Sequence, residues 1–277
     1  SGPADSSQGI RLVNIKIIVA AHKPYRMPDD PMYLPLHVGH VGKSDLGWQG
    51  DDSGDNISHK NTNYCELTGL YWAWKNLDAD VIGLAHYRRH FMGMHTGTFE
   101  WILNTFGLNT SANKWTHILT QAQVEIFLEQ APVIVASKRN YFIESVASQY
   151  AHAHHREDLA LVRTVIFELF PEYLPAFDEL MLGTQVHLFN MFIMHRSYLD
   201  AYCTWLFNIL FELENRLDIS GYTQNDARVF GFLGERLLDV WLNTSGIQYQ
   251  ECPIMFMERQ NLVKKVSSFI IRKVRNR

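Results

Sequence analysis

The sequence predicts an α/β protein: a mixed, mainly parallel central sheet flanked by helices, with a helical C-terminal part. Three observations lead there. The runs Ile15 to Ala21, Val81 to Ala85 and Pro132 to Ser137 are short and almost wholly apolar. Such runs suit strands buried on both faces, as parallel sheets require. Stretches with helical spacing alternate with them. Each run also ends in cationic and aromatic residues: His22-Lys23-Pro24-Tyr25, His86-Tyr87-Arg88-Arg89-His90 and Lys138-Arg139-Asn140-Tyr141. In open α/β sheets, ligands bind outside the carboxyl ends of the strands.

Composition bounds the reading. With 277 residues, 47% of them hydrophobic, the chain can bury a large core. A formal charge of −4 gives no reason to expect nucleic acid as a partner. Cys65, Cys203 and Cys252 are odd in number, far apart and without a CxxC pair. That pattern fits a reducing compartment and argues against a disulfide framework or structural zinc site. No apolar run approaches the roughly 20 residues of a membrane span, and no signal peptide is visible, so a cytoplasmic protein is expected. Residues 1–10 read as a small, polar leader, 11–258 as a single domain and 259–277 as a basic tail with an apolar centre. The tail suits peripheral contact with an anionic membrane, a frayed basic helix end being the alternative.

Taken in order, Ile15 to Ala21 is the first central strand. After it, Tyr25 offers a stacking face and Lys23 a charge for phosphate. Met32 to Val41 alternates but is interrupted by Pro35 and Gly39, and reads as irregular. Gly47 to Ser58 is a polar loop of glycines and acids, expected to bind rather than merely turn. Its Asp51, Asp52 and Asp55 are a weak candidate for a hard cation, at a spacing unlike an EF-hand.

Asn63 with Glu66 has capping-box spacing. Leu67, Leu70, Tyr71 and Trp74 then recur at helical spacing and should face the sheet, the helix ending at Lys75-Asn76. Asp78-Ala79-Asp80 is a literal DxD, but it precedes its strand, at the wrong end for the ligand crevice. At the correct end stand His86, Arg88 and Arg89, whose guanidinium forks suit a phosphate-bearing ligand.

Phe99 to Phe106 and Thr120 to Gln130 read as helices, and Glu144 to Phe170 as mostly helical, with His152, His154 and His155. Pro171 restarts a helix at its first turn. His187 to Met194 is a fourth strand candidate. Its Asn190 is either satisfied by backbone or placed to orient a ligand hydroxyl. Ser197 should cap a long helix through Leu217. Asp226 to Leu242 is another helix, carrying Arg228 and Glu235. Glu235 is either a general base or the partner of a nearby arginine. Gln248 to Pro253 is a last strand.

The order IIVAAHKPY, GDDSGDNIS, NYCELTGLYWAWKN, GLAHYRRHF, HLFNMFIM and FGFLGERLLDVW resembles the bacterial capsular and exopolysaccharide glycosyltransferases grouped as DUF4422, from Lys16 to about Glu258. The resemblance implies a GT-A-like, Rossmann-like transferase that moves a sugar from a nucleotide-diphosphate donor to a lipid-linked capsular, exopolysaccharide or O-antigen glycan. A UDP-sugar is the expected donor, UDP-galactofuranose among the candidates. On that reading Ala20, His22, Lys23 and Tyr25 line the uridine side, and Asp55 and Asn56 lie near ribose or sugar. His86, Arg88 and Arg89 meet the diphosphate, assisted by Lys138 and Arg139. Tyr87 and Asn190 face the acceptor. Glu235 is the base, with Asp226 and His187 in reserve. No residue is assigned to a metal, and a divalent ion (Mn²⁺ or Mg²⁺) stays open as cofactor because the DxD is misplaced. The expected place of action is the inner face of the cell membrane. A non-catalytic glycan-binding or assembly protein and a phosphate-handling hydrolase are the alternatives.

Overall fold

The computed structural model describes residues 13–93 and 112–258. Its strands are β1 (Ile15–Ala21), β2 (Tyr33–His37), β3 (Gln49–Gly50), β4 (Val81–His86), β5 (Arg89–Phe91), β6 (Val133–Ala136), β7 (Arg139–Asn140), β8 (Gln185–Val186), β9 (Phe192–His195), β10 (Tyr249–Cys252) and β11 (Ile254–Phe256). The main path runs β10-β6-β9-β4-β1-β2-β3. Strand β1 is parallel to β2 and β4, β2 to β3, and β10 to β6, whereas β9 is antiparallel to both β4 and β6. Six of these seven strands therefore point one way, with only β9 reversed. The mixed, mainly parallel sheet is as expected.

Helices α1 (Asn61–Tyr64), α2 (Leu67–Asn76), α3 (Gln121–Gln130), α4 (Val146–Ala153), α5 (Arg156–Leu169), α6 (Leu174–Leu182), α7 (Arg196–Arg216) and α8 (Val229–Ser245) flank it. The apolar runs explain the layering. In β1 and β4, Ile18, Ile82 and Leu84 face a core shared with α2, α7 and α8, while Ile17, Val19, Val81 and Ala85 face a second core. Alternation along a strand places successive side chains on opposite faces, so a strand between two layers must be apolar throughout. Helix α3 starts as the sequence suggests, with a capping box between Thr120 and Gln123.

Five local expectations change. Residues 33–37, expected to be irregular, form β2. Val38 donates to the Ala21 carbonyl, so by alternation the nitrogen of Pro35 faces away from β1. There β3 reaches only Leu36 and His37, and the missing N–H costs no ladder bond. Asn63 and Glu66 make no capping box. Cys65, at φ 53°, breaks the chain between α1 and α2, and Asn63 Nδ2 donates instead to the Ala227 carbonyl. Strand β9 begins only at Phe192, because Phe189 and Asn190 adopt φ of 77° and 53°. The long helix begins at Arg196, with His195 rather than Ser197 at its cap. Arg196 then donates to the Trp74 and Leu77 carbonyls, supplying partners for the last turn of α2. Tyr71 and Trp74 face not the sheet but α7, where Trp74 stacks on Phe207. The leader, the Phe99 to Phe106 helix and the basic tail lie outside the described residues.

Candidate active site

Two carboxylates lie within electrostatic reach of each other beside the carboxyl end of β4. Glu66 stands at the start of α2, directed there by the Cys65 turn, and Glu235 projects from α8. Their side chains are only 10% and 18% exposed. Burial pushes both carboxyls above the usual range. Hydrogen bonding from Asn190 opposes the rise at Glu66. At Glu235, Arg236 opposes it, the negative charge of Glu66 adds to it, and Arg89 and a backbone bond from Phe189 oppose it again. Asn190 Nδ2 lies 2.6 Å from Glu66 Oε1, and Arg236 Nη1 lies 3.2 Å from Glu235 Oε2.

Cations and a neutral imidazole surround the pair. His86 Nε2 is 2.8 Å from the Phe189 carbonyl and 3.8 Å from Glu66 Oε1. A carbonyl only accepts, so Nε2 carries the proton. Burial, then the Arg89 charge, pushes His86 down to about 3, and the ring is neutral at ordinary pH. Arg89 lies over the Phe189 ring at 4.4 Å and near Phe256 at 5.8 Å. Its charge acts on both carboxylates. Arg228 donates from Nε to Cys65 Sγ at 3.1 Å and covers Phe232 at 5.1 Å. Two glycines allow α8 to come this close. A Cβ on Gly234 would stand 2.8 Å from Leu67 Cδ1 and 3.2 Å from Asn190 Oδ1, and one on Gly231 would stand 3.2 Å from Cys65 Sγ.

A second cluster gathers on Tyr87, which is buried although its neighbours are not. His22 and Tyr25 meet its ring edge-on at 5.3 and 5.0 Å, and Lys23 and Arg88 lie 5.5 and 5.1 Å from it. The register Ala20↔His86 sets the ends of β1 and β4 side by side, and the Tyr87 amide donates to the Ala20 carbonyl. Arg88 is exposed and sits 3.5 Å from Glu258. Trp115 extends the shelf, near Tyr25 and beneath Arg26 at 4.6 Å. Burial, then the charges of Arg88 and Lys23, lowers His22. Tyr87, expected on the acceptor side, thus groups with the residues expected on the nucleoside side.

The other expected residues fall elsewhere. Asp55 accepts from the Tyr71 hydroxyl, and its amide and carbonyl bond to Asn76. Asn76 is about 15 Å along α2 from Glu66, so Asp55 is not brought to the carboxylates. Asn56 is occupied within its own loop by the Asp52 and Gly54 carbonyls and the Ser58 amide. His187 is fully buried, with Nδ1 2.6 Å from Asp239 Oδ1 and Nε2 3.5 Å from Glu251 Oε1. Lys138 donates to the Tyr249 hydroxyl in the same cluster, while Arg139 is exposed over Tyr141. Asp226 accepts from the Thr223 hydroxyl and faces His154 and His155. The Thr223 bond is the largest influence holding its carboxyl down, which weakens it as a base.

Glu66, Arg228 and Phe189 join the site although the motifs do not mark them for it. Glu66 carried a usable signal, since a carboxylate between Tyr64, Cys65 and Leu67 in an apolar stretch must find partners.

The loop acids are committed to the protein. Asp51 is buried and accepts from the Gly39 and His40 amides and the Ser58 and Thr68 hydroxyls. Asp52 pairs with His40. Asp80 accepts from the Asn14 amide at the amino end of β4, opposite His86. Among the described residues no three His, Cys, Asp or Glu side chains converge as metal ligands. The residues described do not fit a DxD metal centre. No helix among them is long and apolar enough to cross a membrane.

A mainly parallel sheet that delivers paired carboxylates and an aromatic, cationic shelf to one edge defines a GT-A-like, Rossmann-like protein. The chain belongs to the DUF4422 family, described as a domain of unknown function, whose model matches residues 16–246. A solved structure of WbbM, a bifunctional glycosyltransferase in its apo form, is similar at a TM-score of 0.80 and 29% identity. The likeness covers 88% of this chain and 45% of that one, so the chain spans just under half of WbbM's length. No curated protein matches the sequence.

Proposed function

We propose that the chain is a glycosyltransferase, moving a sugar from a nucleotide-diphosphate donor to a hydroxyl of a growing glycan. The observation that carries this reading is the Glu66 and Glu235 pair beside Arg89, at the strand edge where the Tyr87 shelf begins. In such a transfer, the bond from the anomeric carbon to the diphosphate oxygen breaks as the acceptor oxygen bonds to that carbon. The acceptor proton needs a base, and the leaving diphosphate needs positive charge.

Glu235 is the base, because a raised carboxyl pKa makes it a better proton acceptor. Arg89, with Arg88 at the rim, meets the charge that develops on the diphosphate. His22, Lys23, Tyr25 and Tyr87 form the nucleoside shelf. Asn190 orients Glu66, leaving the donor hydroxyls as its natural contacts. The likeness to WbbM supports the reaction class. A UDP-sugar donor, UDP-galactofuranose among the candidates, and a lipid-linked acceptor are the finer form of the proposal, with action at the inner face of the membrane.

The test is a thermal-shift titration with UDP, GDP, CMP and inorganic phosphate, each with and without Mn²⁺, followed by sugar-transfer assays. Ligand bound to the native state raises Tm by mass action. UDP should stabilise selectively, and Glu235→Gln should keep that shift while losing transfer. No response to any nucleotide would overturn the proposal in favour of a glycan-binding module. The Mn²⁺ arm decides metal dependence.

A further inference from the structure

We propose that the turn around Phe142 and Ile143, with Leu182 beside it, is a contact that seats in the surface of an anionic lipid bilayer. Phe142, Ile143 and Leu182 are 79%, 71% and 82% exposed, more than any other large hydrophobic residue described. Scattered apolar residues are ordinary on a surface, but two adjacent and a third close by are not. Their exposure does not come from a loose chain. The Phe142 amide donates to Asn140 Oδ1 and the Ile143 amide to the Tyr141 carbonyl, each at 2.7 Å. The Tyr141 and Val146 amides donate to the Thr184 and Gly183 carbonyls, both at 2.8 Å, which fixes the turn against the segment after Leu182. Phe142 is held at φ 60°, a conformation bulky residues avoid. A pinned turn therefore presents two large apolar side chains outward.

Area and charge select the occupant. The three side chains offer on the order of 450 Å², short of the roughly 800 Å² per partner of a stable protein interface. A bilayer needs no matching surface, only apolar side chains at a convex tip. Arg139, exposed beside the Tyr141 ring, precedes the turn, and Tyr141 stands between charge and apolar tip, the order in which side chains meet headgroups and acyl chains. The first acid after them, Glu144, is paired with His152 at 3.2 Å. The contact does not depend on the proposed transfer reaction.

Vesicle co-sedimentation of the full chain tests it, with phosphatidylcholine alone and with added phosphatidylglycerol. The parent should bind the anionic vesicles, and the double variant Phe142→Ser with Ile143→Ser should bind about tenfold more weakly or worse. The basic tail is common to both, so the difference between them is the reading. Phe142→Trp gives a local one: its added emission should shift to the blue on vesicles and be quenched by brominated acyl chains. Equal binding by parent and double variant, or an unquenched tryptophan, overturns the proposal. So does a dimer of the parent that the double variant abolishes, since the patch then belongs to a second copy. An unchanged Tm confirms that the variants fold, and their nucleotide response is measured separately, so failure here is distinguishable from failure of the transferase reading.

Discussion

Asn190 Nδ2 donates to Glu66 Oε1 at 2.6 Å and to the Gly231 carbonyl at 3.1 Å, across 124 and 41 positions of the chain. One amide thus ties the start of α2, the loop before β9 and the first turn of α8. It holds Glu66 in place from a left-handed backbone position that Asn tolerates better than most residues. The same loop gives the Phe189 carbonyl to His86 and places the Phe189 ring under Arg89.

Replacing this residue should separate geometry from bulk. Asn190→Ala leaves a buried carboxyl without its donor, a loss of about 1–3 kcal/mol, measured by urea unfolding. The Glu66 carboxyl should rise further, and transfer activity should fall more than stability does. A variant as active as the parent would remove Glu66 from the mechanism.

Glu235→Gln should stabilise the protein while abolishing transfer. Because burial raises this carboxyl, the native state holds a proton that the unfolded chain has released between the usual carboxylate range and the raised value. Stability therefore falls as pH climbs through that window, and the penalty is complete above it. The variant should melt higher than the parent at pH 8, the gap closing as pH drops below the usual carboxylate range. A lower melting point at pH 8 would mean that Arg236 and Arg89 outweigh desolvation.

The acid limb has its own cause. Burial pushes both His86 and His90 down to about 3, against about 6.5 when free. The unfolded chain then binds more protons, so their contribution is complete above about 6.5 and is lost as pH falls toward 3. His90 packs on Tyr33 and Trp115 at 5.9 and 6.0 Å. His90→Phe should flatten the acid limb by a few kcal/mol, read from chemical unfolding at pH 7 and pH 4. His86, neutral throughout the working range, should leave no titration in the rate profile.

Gly234→Ala should damage the site through packing. Its Cβ would meet Leu67 Cδ1 at 2.8 Å and Asn190 Oδ1 at 3.2 Å. Overpacking of this kind costs about 1–3 kcal/mol. The shift falls on the residue that orients Glu66, so transfer should drop at least tenfold while the protein still folds. Gly246→Ala is the control: it has open space around it, though its φ of 62° adds local strain remote from the carboxylates.

Much of the sheet was legible because its signals are local. An apolar run such as Val81 to Ala85 can be satisfied only between two layers, and the cationic residues after it mark the edge that must meet solvent or ligand. The DxD before β4 could be set aside on the same ground, from strand direction alone. The strand at 33–37 was not legible, because Pro35 is tolerated only where a neighbour leaves that side of the ladder open.

The sequence by itself determined the alternating architecture, the direction of β1, β4 and β6, and the cationic and aromatic groups at their ends. Tertiary structure alone decided what the polar residues do. Glu66 has the spacing of a cap and becomes a buried carboxylate, because Asn190 and α8 arrive from far along the chain. His187 becomes the partner of Asp239, and Asp55 that of Tyr71 and Asn76. The physical reason is one of range. Apolar burial is fixed by periodicity within a few residues, whereas the state of a buried charge depends on every group folded against it.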